Sequence, residues 1–199
     1  MQGALPSRTA RARIIAMFVT AFLMGAIAMF SIVSEAGVAL GSTRVPFRVR
    51  VSIAALALVL LAAVDLRAIA KSTFCPIGWR RQTPRTLMRR HRLTVVAAAW
   101  GFATGLVVTT FRVAAVSWGA LLLAALDLSP RWVGLGYGLG FTAPLLILLL
   151  RPRLGRASRE LTPTDPGLEA ILRLRPLIQG VSAALLISSC VILLGQFVT

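Results

Sequence analysis

The feature that most constrains this chain is a series of long apolar runs. The first, Ile14–Ser34, has 21 consecutive uncharged residues, which as a helix would span about 30 Å of hydrocarbon. Hydrophobic residues make up 57% of the chain and the mean hydropathy is +0.83, whereas soluble domains contain roughly 45 to 50% apolar residues. A water-soluble fold could not bury this much apolar surface, so the sequence predicts an all-α, polytopic transmembrane helix bundle.

Charge is scarce in this chain and is almost entirely positive. Lysine and arginine total 22 against 6 for aspartate and glutamate, and the cations lie in short segments between the apolar runs. Cytoplasmic loops of membrane proteins carry this excess, so the pattern predicts a multi-pass protein with a cytoplasmic N-terminus. Nucleic acid is not a predicted partner, since no reader motif accompanies the arginines. The alanine- and arginine-rich composition is typical of a GC-rich bacterial genome, and the predicted location is the bacterial cytoplasmic (inner) membrane.

Five crossings in a single membrane domain, residues 1–199, account best for the apolar runs and the basic segments. The predicted spans are 14–34, 51–70, 93–126, 131–150 and 177–198, and the predicted cytoplasmic loops are 71–92 and 151–176. In the second loop, a short helix at the membrane surface is predicted to end at Pro176. Ala26–Ala28 resembles a signal-peptide cleavage site, but the first apolar run is longer than a usual signal core. It is therefore expected to remain as a span.

The third predicted span, 93–126, can be divided in two ways. Arg112 follows 19 apolar residues and precedes another 14. Two separate crossings would make six spans, but the basic segment after Leu150 would then lie outside the cell, against the positive-inside rule. One long, tilted or broken element gives five spans and is preferred, and a re-entrant segment stays open.

A short motif recurs in the first and third spans. Phe22-Leu-Met-Gly25 and Phe102-Ala-Thr-Gly105 share the pattern FxxG at an offset of 80 residues. The spans and basic loops that follow keep roughly the same offset. The recurrence is a weak indication of two two-helix repeats in parallel orientation.

Arg112 and Glu35 are candidate functional residues at the edge of the membrane. An arginine inside hydrocarbon is costly and is usually functional. With the third span beginning at Leu93, however, Arg112 lies about 29 Å along the helix, and Glu35 lies about 32 Å beyond Ile14. Both are expected near the far surface, where they could pair, and interfacial anchoring is the simpler interpretation.

The fourth span carries two interleaved GxxxG spacings, Gly134 with Gly138 and Gly136 with Gly140, followed by Pro144. Small residues at this spacing let helix backbones approach closely, within a chain or between copies, and proline removes an internal hydrogen bond. Tight packing with a kink is one interpretation. The other is a discontinuous helix whose freed backbone groups line a solute path.

The basic segment after the second span is the candidate contact for anionic lipid head groups. Its arginines are Arg80, Arg81, Arg85, Arg89, Arg90 and Arg92. No cofactor or metal is predicted, because His91 has no second ligand nearby. Asp65 and Asp127 are both expected near helix ends, which argues against a buried proton relay. Hydrogen bonds between helices account for the polar residues of the last span.

Three functional hypotheses follow, in order. The glycine-rich fourth span and the polar fifth span favour a small transporter or permease subunit of unknown cargo. A non-catalytic scaffold or assembly subunit of a larger membrane complex is the alternative. A membrane enzyme acting on lipid phosphates ranks third, since no acid, base or metal cluster accompanies the arginines.

Overall fold

The computed structural model describes residues 8–73, 92–107, 114–150 and 166–196. In these ranges the chain forms six α-helices and one 3-10 turn, with no strand. The helices are α1 (Arg8–Ala39), α2 (Phe47–Ala70), α3 (Leu93–Gly105), α4 (Val116–Ala125), α5 (Val133–Leu150) and α6 (Pro166–Gly195). The predicted all-α class is confirmed.

Three helices in the described part are long and apolar enough to cross a membrane. They are Ala12–Ala39 within α1, Phe47–Ala70, which is α2, and Leu174–Gly195 within α6, while α3 and α4 are shorter apolar helices. Many large apolar side chains on these helices point outward; Ile32, Leu56 and Val191 are each more than 60% exposed. An outer surface of this kind is stable in lipid rather than in water, so the fold is that of a helical membrane protein.

The helices run between two ends of the bundle. We call the end at which α1 begins the lower end and the opposite end the upper end. A turn through Gly41, whose φ is 88°, and a 3-10 turn at Ser42–Arg44 join α1 to α2 at the upper end. Helices α1, α3, α4 and α6 run upward, and α2 and α5 run downward.

Helices α1 and α3 lie side by side in the same direction, with almost no side chain between them at one point. A Cβ added to Gly25 would lie 2.5 Å from the Phe102 carbonyl oxygen, and one added to Gly105 would lie 2.3 Å from the Phe22 carbonyl oxygen. The two FxxG motifs therefore contact each other reciprocally. Gly101 meets the Phe18 carbonyl oxygen in the same way, at 2.3 Å. Only glycine allows this backbone approach.

Helix α4 continues upward beyond α3 along the same helix, α1. A Cβ added to Gly37 near the top of α1 would lie 2.0 Å from the carbonyl oxygen of Ala125, and Phe30 packs with Leu121 and Ala124 of α4. Within residues 93–107 and 114–126, the chain thus forms two helices that pack along α1, one nearer the lower end and one nearer the upper end. This path suits one broken crossing, and the number of membrane crossings stays a prediction.

An aromatic seam packs α5 against α1. The ring of Phe22 stacks on that of Phe141 with centroids 4.5 Å apart, and the ring of Tyr137 lies 5.4 Å from that of Phe30. Between these rings, Gly138 leaves room for Leu23, whose side chain would lie 2.7 Å from an added Cβ. The seam holds α5 antiparallel to α1.

The second core lies between α2 and α6, which are antiparallel, and it includes part of α4. Buried residues of α2 such as Leu58 pack with Leu186 of α6 and Ala115 at the start of α4. Gly119 of α4 faces the side chains of Leu186 and Leu58. Because α4 also packs on α1, this ten-residue helix joins the α1, α3 and α5 group to the α2 and α6 pair.

One sequence expectation about a helix limit is wrong. Pro176 does not end a short surface helix, because α6 continues through it from Pro166 to Gly195. A proline in an apolar helix loses one backbone hydrogen bond, which neighbouring helices can compensate by packing. Helix α2 runs from Phe47 to Ala70 and therefore includes the whole of the second predicted span, 51–70.

Candidate functional site at the start of α4

The site is built at the break between α3 and α4. Helix α3 ends at Gly105, and Val107 follows with a φ of 54° and a fully buried side chain. A left-handed conformation is strained for a β-branched residue and costs on the order of 1–3 kcal/mol. Helix α4 then begins at Val116, well inside the bundle, so its free N–H groups face protein rather than water.

Asp65 of α2 binds the backbone at the N-terminus of α4. Its side chain is fully buried, and its two carboxylate oxygens accept hydrogen bonds from the backbone N–H of Ala115 at 2.9 and 3.0 Å. Ser182 of α6 donates its hydroxyl hydrogen to the same carboxylate, and its oxygen accepts from the N–H of Val116 at 3.0 Å. Three helices therefore meet at one buried carboxylate.

Asp65 lies near the end of α2, as the sequence predicted, but its side chain is fully buried. It lies five residues inside α2, about 8 Å from the last helical residue, Ala70. Asp127, by contrast, does follow a helix end and is 45% exposed.

The opposite end of α4 is held by Arg50, also from α2. Its Nη1 donates to the carbonyl oxygens of Leu126 and Asp127 at 2.9 and 3.4 Å and lies 3.6 Å from the Asp127 carboxylate. The guanidinium group also lies 5.8 Å from the ring centroid of Phe47. Helix α2 thus places a negative charge at the N-terminus of α4 and a positive charge at its C-terminus. Each charge interacts favourably with the partial charge of the helix dipole at its end of α4. The expected stabilisation is about 0.3–2 kcal/mol for each charge.

Polar groups extend from Asp65 toward the lower end along α6. Gln179 is fully buried one turn before Ser182, and its Nε2 donates to the carbonyl oxygen of Thr73 at 3.0 Å. Thr73 follows α2 and is exposed. Since residues three apart share a helix face, Gln179 and Ser182 form a polar file between the exposed Thr73 and Asp65.

Glu35 is exposed on α1 near the upper end and lines a small cavity of about 60 Å³ between α1, α4 and α5. Arg131 and Ser129 line the same cavity. The predicted partner of Glu35, Arg112, lies outside the described residues, so their pairing stays a prediction.

The glycines of α5 divide into two faces. Gly134 and Gly138 are buried against α1, where an added Cβ at Gly134 would lie 3.0 Å from the Cβ of Phe30. Gly136 and Gly140 are exposed, and no atom lies within 4 Å of a Cβ added at Gly140. Helix α5 is continuous through Pro144. The interruption of helical structure lies instead between α3 and α4.

Of the arginines predicted to contact lipid, Arg92 is the one that the structure describes. It is exposed and precedes the first residue of α3. With Arg13 of α1, it lines an open groove at the lower end. Arg80, Arg81, Arg85, Arg89 and Arg90 lie outside the described residues. Their contact with lipid head groups stays a prediction.

Within the described ranges, no group of three or more histidine, cysteine, aspartate and glutamate side chains is arranged to hold a metal ion. The residue that sequence reasoning missed is Asp65. One signal was available, because the Asp65 carboxylate and the Ser182 hydroxyl both lie within predicted spans, where a buried polar group needs a hydrogen-bond partner. Their meeting at α4 depends on the break after α3, which no sequence motif marks.

Comparison with protein-family profiles, with curated proteins and with solved structures finds no match for this chain. The fold defines a class, the helical membrane proteins.

Proposed function

We propose that this chain is a small transporter or permease subunit of a bacterial cytoplasmic membrane. The observation that carries the proposal is the half-length helix α4, which begins inside the bundle with its N-terminus bound to the buried carboxylate of Asp65. Intramembrane ionisable residues are costly and usually mark the paths of substrates or ions. Transporters commonly place binding sites where a crossing helix is interrupted.

The position of α4 suits a moving part. It packs against α1 on one side and against α2 and α6 on the other, so a shift of α4 would change how the two groups of helices fit together. Its connection from α3 passes through the strained Val107. Alternating access in transporters takes place largely by such movements of one helix group against another.

Arginine placement supports a cytoplasmic lower end. Residues 71–92 and 151–165 join helices at that end, because α2 and α5 end there and α3 and α6 begin there. These two segments hold 11 of the 22 lysines and arginines. By the positive-inside rule the lower end, with the N-terminus, faces the cytoplasm of a multi-pass protein.

Reconstituted flux tests the proposal. The purified chain in liposomes is assayed for uptake of a panel of labelled amino acids, sugars, nucleosides, organic cations and inorganic phosphate, with and without pH and potential gradients. The Asp65→Asn variant and a matched control, Ser189→Ala, are assayed in parallel. The Ser189 hydroxyl is exposed and donates to the carbonyl oxygen of Leu185 in its own helix. We expect uptake of at least one solute by the wild type and the control but not by Asp65→Asn. Uptake equal to that of protein-free liposomes throughout would contradict the proposal.

A scaffold subunit is the second candidate, and the exposed glycine face of α5 favours it. Gly136 and Gly140 form a small-residue groove at GxxxG spacing on the exposed face of α5, where a Cβ added at Gly136 would meet the Trp132 ring at 3.4 Å and one added at Gly140 would meet no described atom within 4 Å. Such grooves accept a helix from another subunit or a second copy. Purification in mild detergent would then yield a stoichiometric partner that Gly140→Leu releases and Gly180→Leu, a control with equal space on α6, retains.

A further inference from the structure

The buried carboxylate of Asp65 has no counter-ion in the part of the chain that the structure describes. Its contacts are the N–H of Ala115 and the hydroxyl of Ser182. Two influences therefore act on it in opposite senses. Exclusion of water disfavours the negative charge, while the donors and the N-terminus of α4 favour it. A carboxyl group held between two such influences is suited to exchange a proton.

Among the residues that the structure describes, which exclude 108–113 with Arg112, the charged and titratable groups around Asp65 are few. Helix α4 has none between Val116 and Ala125. On α6, Arg175 lies two turns below Ser182, and the thiol of Cys190 lies two turns above it, near the carbonyl oxygen of Ala55 at 3.7 Å. On α2 itself, Arg67 and Lys71 follow Asp65, and both are exposed at the lower end.

The donor set discriminates between a proton and a metal cation. A sodium ion in a membrane protein is held by several oxygen atoms, often carbonyls of an unwound helix or a helix C-terminus. The described groups at Asp65 present N–H hydrogens from the N-terminus of α4 instead, and this end of a helix repels cations. A proton needs only one lone pair of the carboxylate.

Access from the lower end follows the polar file. Thr73 is exposed, Gln179 donates to its carbonyl oxygen, and Ser182, one turn above Gln179, donates to Asp65. Above Asp65, the α2 and α6 interface is formed by Leu58, Leu186 and other apolar side chains. The polar groups that reach Asp65 along this interface thus come from below.

We propose that Asp65 binds and releases a proton that enters from the lower end past Gln179 and Ser182, and that transport is coupled to this proton. The coupling part of the inference rests on the proposed function. Protonation adds a hydrogen to one carboxylate oxygen and removes the charge that faces the N-terminus of α4. The hold of α2 and α6 on α4 is thereby weakened, and α4 is the helix that joins the two groups.

Infrared difference spectroscopy tests proton binding without knowledge of the cargo. The reconstituted chain is titrated with pH, and the carbonyl stretch of a protonated carboxylic acid is followed in the wild type, in Asp65→Asn and in Ser189→Ala. We expect one band that grows on acidification in the wild type and the control and is missing in Asp65→Asn. Deuterium exchange of this band should be slower in Gln179→Leu than in the wild type. A carboxyl that keeps one protonation state over the pH range in which the chain stays folded overturns the proposal.

Flux separates this inference from the proposed function. For any solute that the wild type transports, a pH gradient should drive accumulation, and Asp65→Asn should lose this driven component. Solute flux that ignores the pH gradient, or occurs without a titrating band, leaves the transporter standing and overturns proton coupling. A titrating band without flux of any solute supports the proton site and contradicts the transporter.

Discussion

The close approach of α1 and α3 makes Gly105 the position where one methyl group has the most predictable effect. A Cβ at residue 105 would lie 2.3 Å from the carbonyl oxygen of Phe22 and 2.9 Å from the backbone nitrogen of Ala26, whereas ordinary Cβ contacts are 3.4 Å or more. Both clashing atoms belong to the backbone, so no side-chain rotation relieves the clash. In Gly105→Ala, α3 must move away from α1 by about 1 Å.

The energetic consequence follows from the loss of contact. A gap of about 0.5–1 Å forfeits a quarter to a half of the dispersion energy of the atoms facing it, and overpacking of this kind costs about 1–3 kcal/mol. Alanine also gains up to about 1 kcal/mol of helix propensity over glycine. Gly140→Ala gains the same propensity with nothing within 4 Å, so it is the matched control.

Unfolding in mixed micelles with increasing denaturing detergent, followed by circular dichroism, measures the difference. We expect the free energy of unfolding of Gly105→Ala to lie about 1–3 kcal/mol below that of Gly140→Ala. Equal stability of the two variants would refute the reasoning, because it would mean that α1 and α3 do not touch through their backbones at this position.

Three further outcomes are expected. Asp65→Ala should lower the free energy of unfolding by about 1–3 kcal/mol more than Asp65→Asn does, because asparagine keeps a carbonyl acceptor for the Ala115 N–H. Equal losses of stability in the same unfolding assay would contradict the hydrogen bonds at α4. Arg50→Gln should lower the free energy of unfolding by about 1 kcal/mol, because it removes the positive charge at the C-terminus of α4. The difference should persist in unfolding experiments at high salt, since the Arg50 side chain is only 13% exposed. The last test uses a chain whose native cysteines are replaced by serine, with a new cysteine introduced at one of two exposed positions by Thr43→Cys or Ser72→Cys. The two new cysteines should react with an impermeant maleimide from opposite sides of the membrane. Labelling of both from the same side would exclude α2 as a span.

The cysteine experiment also tests the orientation of the chain. In cells, we expect the cysteine at residue 43 to react from outside and the one at residue 72 to react only after the membrane is opened. The two turns lie at opposite ends of α2, and the second adjoins the arginine-rich segment. The reverse pattern would contradict the cytoplasmic placement of the lower end.

The all-α fold class could be predicted from the sequence, because helix formation in lipid depends on the composition of each local segment. Runs such as Ile14–Ser34 have no stable alternative to a helix in lipid, where each backbone group must bond within its own segment. Helix limits were less well predicted. Pro176 is a helix breaker by its own chemistry, yet α6 continues through it.

Contacts between distant segments could be predicted only in part. The FxxG recurrence at Gly25 and Gly105 was visible in the sequence, but it was interpreted as a sign of repeated helix pairs. In the structure, the two motifs are each other's contact surface. A pattern of small residues indicates that a backbone is approached closely and does not say by which partner.

The sequence by itself determined that the chain is helical and apolar outside, since residue hydrophobicity and backbone hydrogen bonding are local properties. The tertiary structure alone decided that Asp65 is buried and that it binds the backbone at the N-terminus of α4. A carboxylate's surroundings depend on which helices pack beside it, and here two of them, α4 and α6, come from segments 50 and 117 residues farther along the chain.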